Sequence, residues 1–367
     1  MPVSISGTNG VTFPDSSLQA AAASPYVLKN RIINGDMRIA QRGTGAVNNL
    51  ATDAYQGIDR WSTYGNSADK YSTQQSTTAP TGFTNSMLIT SLAATSVGTS
   101  GLYLGIQYVE GFNAADLAWG TASAKTVTLS FWVRSSLTGT FGGSILNNAR
   151  DRCYIFSYTI SAANTWEQKT ITITGDTSGT WLTNNGRGIG LYFSFGTGSS
   201  LSGTAGSWGS SELYAPTGAT SVVGTNGATF YITGVQLEVG STATPFERRL
   251  YGQELVNCQR YFWKTFNQSV APVQNLGSVA GAMSWISWPI TTGLAAIPFK
   301  YCTTMRAAPT LTSFSPAAAT SNWHDYTAGV GKALQFNNIG DSGCQLGMSA
   351  PAANSEYYVH ITASAEL

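Results

Sequence analysis

The sequence predicts an all-β protein built as an N-terminal segment, a jelly-roll β-sandwich, a short linking helix and a C-terminal β-domain. Three observations carry that prediction. Many runs of five to ten residues alternate apolar and polar side chains, the period of a strand with one face buried. Gly, Ser, Thr and Asn clusters separate these runs, with 40 glycines in 367 residues. Between them there is almost no helical period, so the strands should pair antiparallel in stacked sheets rather than alternate with crossover helices. The length suggests about two or three units.

Taken in order, residues 1–25 stand apart. "VSISGTNGVTF" alternates like a short strand with a turn at Thr8 to Gly10, and in "PDSSLQAAAASP" Ser16, with Gln19 three residues on, predicts a helix start before an Ala run that ends at Pro25. Such a segment buries almost nothing alone, which points to an oligomer or an attachment site. From 26 to 249 the period is two. "KTVTLSFWVRSS" sets Val127, Leu129, Phe131 and Val133 against Thr128, Ser130, Trp132 and Arg134. "GLYLGIQYVEG" predicts Leu102, Leu104, Ile106 and Tyr108 inward. "CYIFSYTI", "QKTITITG", "GIGLYFSF" and "ATFYITGVQLEVG" add four strands, and "NAADLAWG" a brief helix. In the last strand, simple alternation places Tyr231, Thr233, Val235, Leu237 and Val239 on one side and Ile232, Gln236 and Glu238 on the other, before Gly240 and Pro245 stop it. "LYGQELVNCQRYFWKTF", within 250–268, has Leu255, Cys258 and Phe262 at helical spacing. From 269 to 367 "MSWISWPI", "PTLTSFSP", "KALQFNNIG", "CQLGMS" and "YYVHITASAEL" predict a second, smaller β-domain.

Charge narrows the function. Charged residues are 10% of the chain and the formal net charge is +1, so no clustered Lys and Arg footprint for nucleic acid or an anionic membrane is present. No apolar run approaches the roughly 20 residues that span a bilayer, and "MPVSISGTNG" lacks the basic and apolar regions of an export signal. Cys153, Cys258, Cys302 and Cys344 are far apart with no CxxC, which predicts reduced, mostly buried thiols.

"ISGTNGVTFPDSSLQ" resembles the segment by which bacteriophage fibres attach to the virion. "NRIINGDMRIAQRG", "DRWSTYG", "AKTVTLSFWVRSS", "NTWEQKTITITGDTSGTW" and "YITGVQLEVGSTATPFERR" together resemble the carbohydrate-binding-module-like jelly roll of phage tail proteins. "CQRYF", "TMRAAPT", "NIGDSG" and "HITASAEL" resemble a C-terminal module that follows it. Nearly the whole chain thus resembles tail-fibre and tailspike-type receptor-binding proteins. The resemblance implies a homotrimer in the virion, fixed by its N-terminal segment to a tail or baseplate protein and presenting its C-terminal part to a host surface polysaccharide. It gives no role to nucleic acid or to membrane insertion, and a virion protein made in the cytoplasm and released by lysis needs no export signal.

The residues themselves favour binding over catalysis. Glu110, Asp116, Glu167, Asp176, Glu212 and Glu238 form no adjacent acid and base pair of the kind glycoside hydrolysis uses, and no G-x-S-x-G elbow accompanies His324 or His360. Sugar rings stack on aromatic faces while their hydroxyls take polar side chains. Candidates for this on the polar strand faces are Tyr103, Gln107, Trp132, Arg134 and Tyr192, and Gln236 belongs with them. In a trimer those same faces would instead pack against a neighbouring subunit. "SNWHDYTAG" adds Trp323, His324, Asp325 and Tyr326 in an expected loop. Related jelly rolls hold a structural calcium, and by that resemblance Asp36 and Glu238 are candidate ligands, with solvated or hydrogen-bonded acids as the default; no other cofactor is expected.

Overall fold

The computed structural model describes residues 4–6, 10–12, 18–19, 29–287, 294–349 and 351–367. Its larger unit is a sandwich of two six-stranded sheets. The front sheet runs, in spatial order, Trp208–Gly209, Cys153–Ile160, Gly139–Leu146, Arg187–Thr197, Leu102–Glu110 and Trp61–Gly65; the back sheet runs Glu167–Ile173, Val127–Ser135, Thr229–Val239, Ser86–Ser91, Tyr71–Ser76 and Val47–Asn48. All the pairings within both sheets are antiparallel, and the fold is the all-β sandwich that alternation predicts.

Val127, Leu129, Phe131 and Val133 are fully buried between the sheets, against Phe141, Phe193, Phe195 and Phe230. Their row matches the sequence expectation, but two neighbouring strands depart from it. In Thr229–Val239 a bulge between Thr233 and Gln236 inserts one residue, with Gly234 left-handed at φ +62°, so Phe230, Ile232, Val235 and Leu237 share the core while Tyr231, Thr233, Gln236 and Glu238 share the outer face. Simple alternation cannot register an inserted residue. In Leu102–Glu110 it is Tyr103 and Val109 that reach the main core. Leu102, Leu104, Ile106 and Tyr108 pack on the opposite, outer face with Leu146, Cys153, Ile155, Tyr192 and Tyr214. Both faces of this strand are buried, and Gly105 leaves the inner face to the Phe195 ring, which would lie 2.7 Å from an added Cβ.

Leu18–Gln19 is a strand paired to Gly10–Thr12, which also pairs with Ser4–Ser6, so the helix expected from Ser16 does not include these two residues; the Ala run after them lies outside the described residues. The expected helix at "NAADLAWG" is two 3-10 turns, Gly111–Asn113 and Ala115–Leu117, stopped by the left-handed Ala118. The linking helix is Tyr251–Gln259, but Phe262 belongs to the following strand, Phe262–Lys264. Cys258 is fully buried; all four cysteines are free and Cys302 alone is exposed. No helix among the described residues is long and apolar enough to cross a membrane.

The second unit is organised by one strand, Glu356–Ser364, which pairs with Phe262–Lys264, Met283–Ile286, Thr310–Phe314 and Trp323–Asp325. A three-stranded sheet, Leu294–Lys300, Gly343–Ser349 and Leu334–Asn337, lies beside it. Its core holds Trp323, Leu346, Met348, Tyr357, Val359 and Ile361. The two units meet across a polar junction. Glu110 accepts bonds from Arg260 at 2.6 and 2.9 Å and from the Tyr261 hydroxyl at 2.6 Å, and Arg60 pairs with Glu366. The buried Lys264 ammonium donates to the carbonyls of Gln41, Gln268 and Val270 at 2.8, 3.1 and 2.7 Å; burial brings its pKa down to about 8.

His360 is also buried and stacks on Phe266 at 4.1 Å. Its Nε2 lies 3.1 Å from the Ser278 carbonyl, which only accepts, so Nε2 carries the proton and Nδ1 accepts from the Thr265 hydroxyl at 3.1 Å. Burial lowers its pKa, so the fold prefers the neutral ring. Its contribution is complete above the unfolded value of about 6.5 and is lost as pH falls through the lower folded value. The urea midpoint should therefore drop as pH goes from neutral toward 5, and His360→Gln should flatten that slope. Equal slopes in the two proteins would remove His360 as the cause.

Candidate functional site

The outer face of the front sheet carries a cleft of about 270 Å³. Strand pairing builds its floor: Tyr192 lies opposite Ile106, Gly190 opposite Tyr108, and Tyr64 opposite Leu104. The Tyr192 ring lies along its own strand because Gly190 has no side chain; an added Cβ would come within 2.7 Å of the ring and of the hydroxyl. One wall is the 199–216 segment. Its two ends pair in parallel, Ser202 to Ala215 and Gly203 to Pro216, and Pro216 packs onto Gly142, which brings Leu201, Glu212 and Tyr214 over the sheet. At the rim a tight turn, closed by Arg150 N–H donating to the Asn147 carbonyl at 3.2 Å, holds Arg150 left-handed at φ +61° with its guanidinium 2.9 Å from Glu212.

Three phenol rings cross the cleft edge to face. Tyr108 and Tyr192 have centroids 6.0 Å apart, and Tyr192 and Tyr214 5.1 Å. The outer two are each tied to an acid: Tyr108 donates to Asp53 at 2.7 Å and Tyr214 to Glu212. Arg187 covers the Tyr108 ring at 3.5 Å. The middle one is different. Tyr192 is 2% exposed, and its buried hydroxyl makes no hydrogen bond of good geometry among the described residues; its nearest polar neighbour is the Tyr108 hydroxyl, which donates to Asp53 and keeps its oxygen lone pairs open. Ser144, directly opposite Tyr192 on the next strand, has a buried hydroxyl in the same condition. Burial raises the pKa of all three phenols, and the Tyr192 ring and Asp53 add to it for Tyr108, as Glu212 does for Tyr214. They remain neutral donors at any physiological pH. An apolar floor of Leu104 and Ile106, phenol rings and a rim of exposed Asp53, Asn66, Arg150 and Glu212 is chemistry suited to a polyol with one apolar face.

Of the residues proposed from sequence, the cleft contains Tyr192 alone. Tyr103 is 4% exposed on the other side of the sheet, edge to face with Tyr71. Gln107 is buried and its amide clamps the Ile33 backbone, with both bonds at 3.0 Å. Gln236 is buried and donates to Glu238 at 2.8 Å. Trp132 and Arg134 lie half-buried on the outer face of the back sheet. The expected loop at 321–329 is instead the strand Trp323–Asp325, paired on both sides. Trp323 is core and donates to the Gly347 carbonyl at 3.3 Å; Asp325 is fully buried and accepts from the backbone of Thr327 and Ala328, both at 2.9 Å. These two residues serve the fold; the segment reads as a loop because the strand is three residues long and its second partner, Glu356–Ser364, lies more than thirty residues on. His324 and Tyr326 do face outward, edge to face with each other at 4.6 Å, and Tyr326 reaches Tyr358 at 5.0 Å.

Asp36 and Glu238 do not fit a calcium ion. Glu238 accepts from Thr244 N–H at 2.9 Å, Thr244 Oγ1 at 2.6 Å and Gln236 Nε2 at 2.8 Å, a ring of donors where a cation needs oxygens. Asp36 is paired with Arg38. Among the described residues no group of three or more His, Cys, Asp and Glu is placed to hold a metal.

No protein-family model matches the chain, and no curated sequence is similar to it. Solved structures do align with it. A protein described as CBM4 shares 14% identity over 56% of this chain and 98% of its own, with a TM-score of 0.30. The family 11 carbohydrate-binding module of Clostridium thermocellum, in complex with a β-1,3-1,4-mixed-linked tetrasaccharide, shares 14% over 55% of this chain and 99% of its own, TM-score 0.28. The enzymatically active domain of tailspike protein 4 of bacteriophage CBA120 shares 11% over 59% of this chain and 22% of its own, TM-score 0.28.

Proposed function

We propose that the chain is a subunit of a homotrimeric bacteriophage tail fibre that holds a host surface glycan in the front-sheet cleft and does not cleave it. The observation that carries the binding reading is the cleft itself: a small apolar floor, three neutral phenols, and a buried Tyr192 hydroxyl that lacks a protein partner. A ligand hydroxyl there would satisfy it with only the ligand's own hydroxyl left to desolvate, the phenol being already buried. The virion, the trimer and anchoring of the N-terminal segment to a tail or baseplate protein rest on the sequence resemblance. Calcium has no place in this reading.

A second reading is favoured by one observation. Asp53 and Glu212 line the same cleft, so a polysaccharide depolymerase with these two carboxylates is the rival to test. Purified protein incubated with host cells should block phage adsorption and release no reducing sugar from surface polysaccharide. Sugar release abolished by Glu212→Gln would establish the depolymerase; neither effect would favour a purely structural virion subunit. Light scattering of the same sample should give three chains per particle.

A further inference from the structure

The back sheet carries a second surface that the cleft does not use. On its outer face Trp166 and Tyr231 meet edge to face at 6.0 Å, and Arg134 stacks over Tyr231 at 4.9 Å. Register places Trp132 two pairs along from Arg134, on the same face and opposite Thr233. Phe83 comes next, with Arg248 over it at 4.6 Å. The bulge joins these groups into one strip. Gly234 turns left-handed there, and an added Cβ would lie 2.7 Å from the Phe83 ring and 3.2 Å from Trp132, so both rings rest on a backbone that only glycine leaves bare. All five rings and guanidiniums from Trp166 to Phe83 are half-buried, and Arg248 is exposed.

The charge of this strip is opposite to that of the cleft. Arg150 and Arg152 of the same unit are each paired with an acid. Among the described residues Arg134 and Arg248 form no ion pair. Arg134 gives Nε to the Asn164 carbonyl at 2.8 Å, which leaves its terminal nitrogens free. The neighbouring outward positions are Gln168 and Thr170, with no carboxylate; Glu167 is held by Lys169. A guanidinium offers its N–H donors in a planar fork that matches a carboxylate in two bonds.

We propose that this strip binds a uronate-bearing polysaccharide, whose sugar faces stack on Trp132 and its neighbouring rings while its carboxylates meet Arg134 and Arg248. The cleft, with two carboxylates and one paired arginine, takes neutral sugar, so the two faces of the sandwich read different glycan chemistry. Two free guanidiniums on a chain of net charge +1 are too few for a nucleic acid, whose affinity scales with the number of phosphates neutralised.

The full chain should be retarded in affinity electrophoresis by polygalacturonate, the more so at low salt, and less by dextran or dextran sulfate. Trp132→Ala and the double change Arg134→Gln with Arg248→Gln should each weaken polygalacturonate binding by about tenfold or more, while leaving the chain folded and binding at the cleft unchanged. Tyr192→Phe should leave polygalacturonate binding intact, which separates this surface from the cleft. Failure to bind polygalacturonate, tighter binding of dextran sulfate or single-stranded DNA, or loss of an oligomer rather than of glycan binding in the Trp132 variant would each overturn the proposal.

Discussion

Replacing Arg60 by methionine is expected to lower the unfolding free energy by about 3–5 kcal/mol, the cost of leaving one partner of a buried ion pair behind. Arg60 is 1% exposed, pairs with Glu366, donates to the Tyr108 carbonyl at 2.6 Å and lies 3.6 Å over the Tyr261 ring. Methionine keeps much of the stem volume and removes the charge. Arg42 still faces Glu366 at 3.0 Å, which should hold the loss toward the lower end of that range. Urea denaturation of the full chain measures it. A loss under about 1 kcal/mol would mean that the junction is screened by water like a surface pair. Because Tyr108 also lines the cleft, the same change should weaken glycan binding, whereas a junction independent of the cleft would leave affinity untouched.

The second large effect separates affinity from stability. Tyr192→Phe deletes one oxygen. If that hydroxyl serves a ligand, affinity for the glycan that blocks adsorption should fall about tenfold, the worth of one hydrogen bond of about 1–1.5 kcal/mol. The free protein should be as stable as before or slightly more so, since a buried hydroxyl without a partner opposes folding. A variant that binds unchanged, or that unfolds more readily, would show that the oxygen belongs to the fold and not to a ligand.

The sandwich was legible because its strands advertise one buried row each, as Val127, Leu129, Phe131 and Val133 do. What failed was the assumption of a single buried row. Leu102–Glu110 is covered on both faces, so its more apolar row reads as core although it floors the cleft. In Thr229–Val239 one glycine carries an extra residue and changes which side chains share a face. The cleft was mostly hidden. Asp53, Tyr108, Arg150, Tyr192, Glu212 and Tyr214 are brought together from five segments by sheet pairing and by the parallel closure of the 199–216 segment, and no local spacing records that. Tyr192 is legible because it alternates with core residues in "GIGLYFSF". The polar residues Gln107 and Asp325 looked like ligands because composition cannot distinguish a side chain that satisfies backbone from one that awaits a guest.

The strand Glu356–Ser364 has a consequence for how the molecule is made. Four segments that precede it, from Phe262–Lys264 to Trp323–Asp325, find their common partner only in this strand. On the ribosome they must emerge as open edges, and edges of that kind invite pairing between nascent chains. The sandwich can close during synthesis, whereas the second unit has to wait until Glu356–Ser364 has been made, so crowding on polysomes should select against high expression without a chaperone.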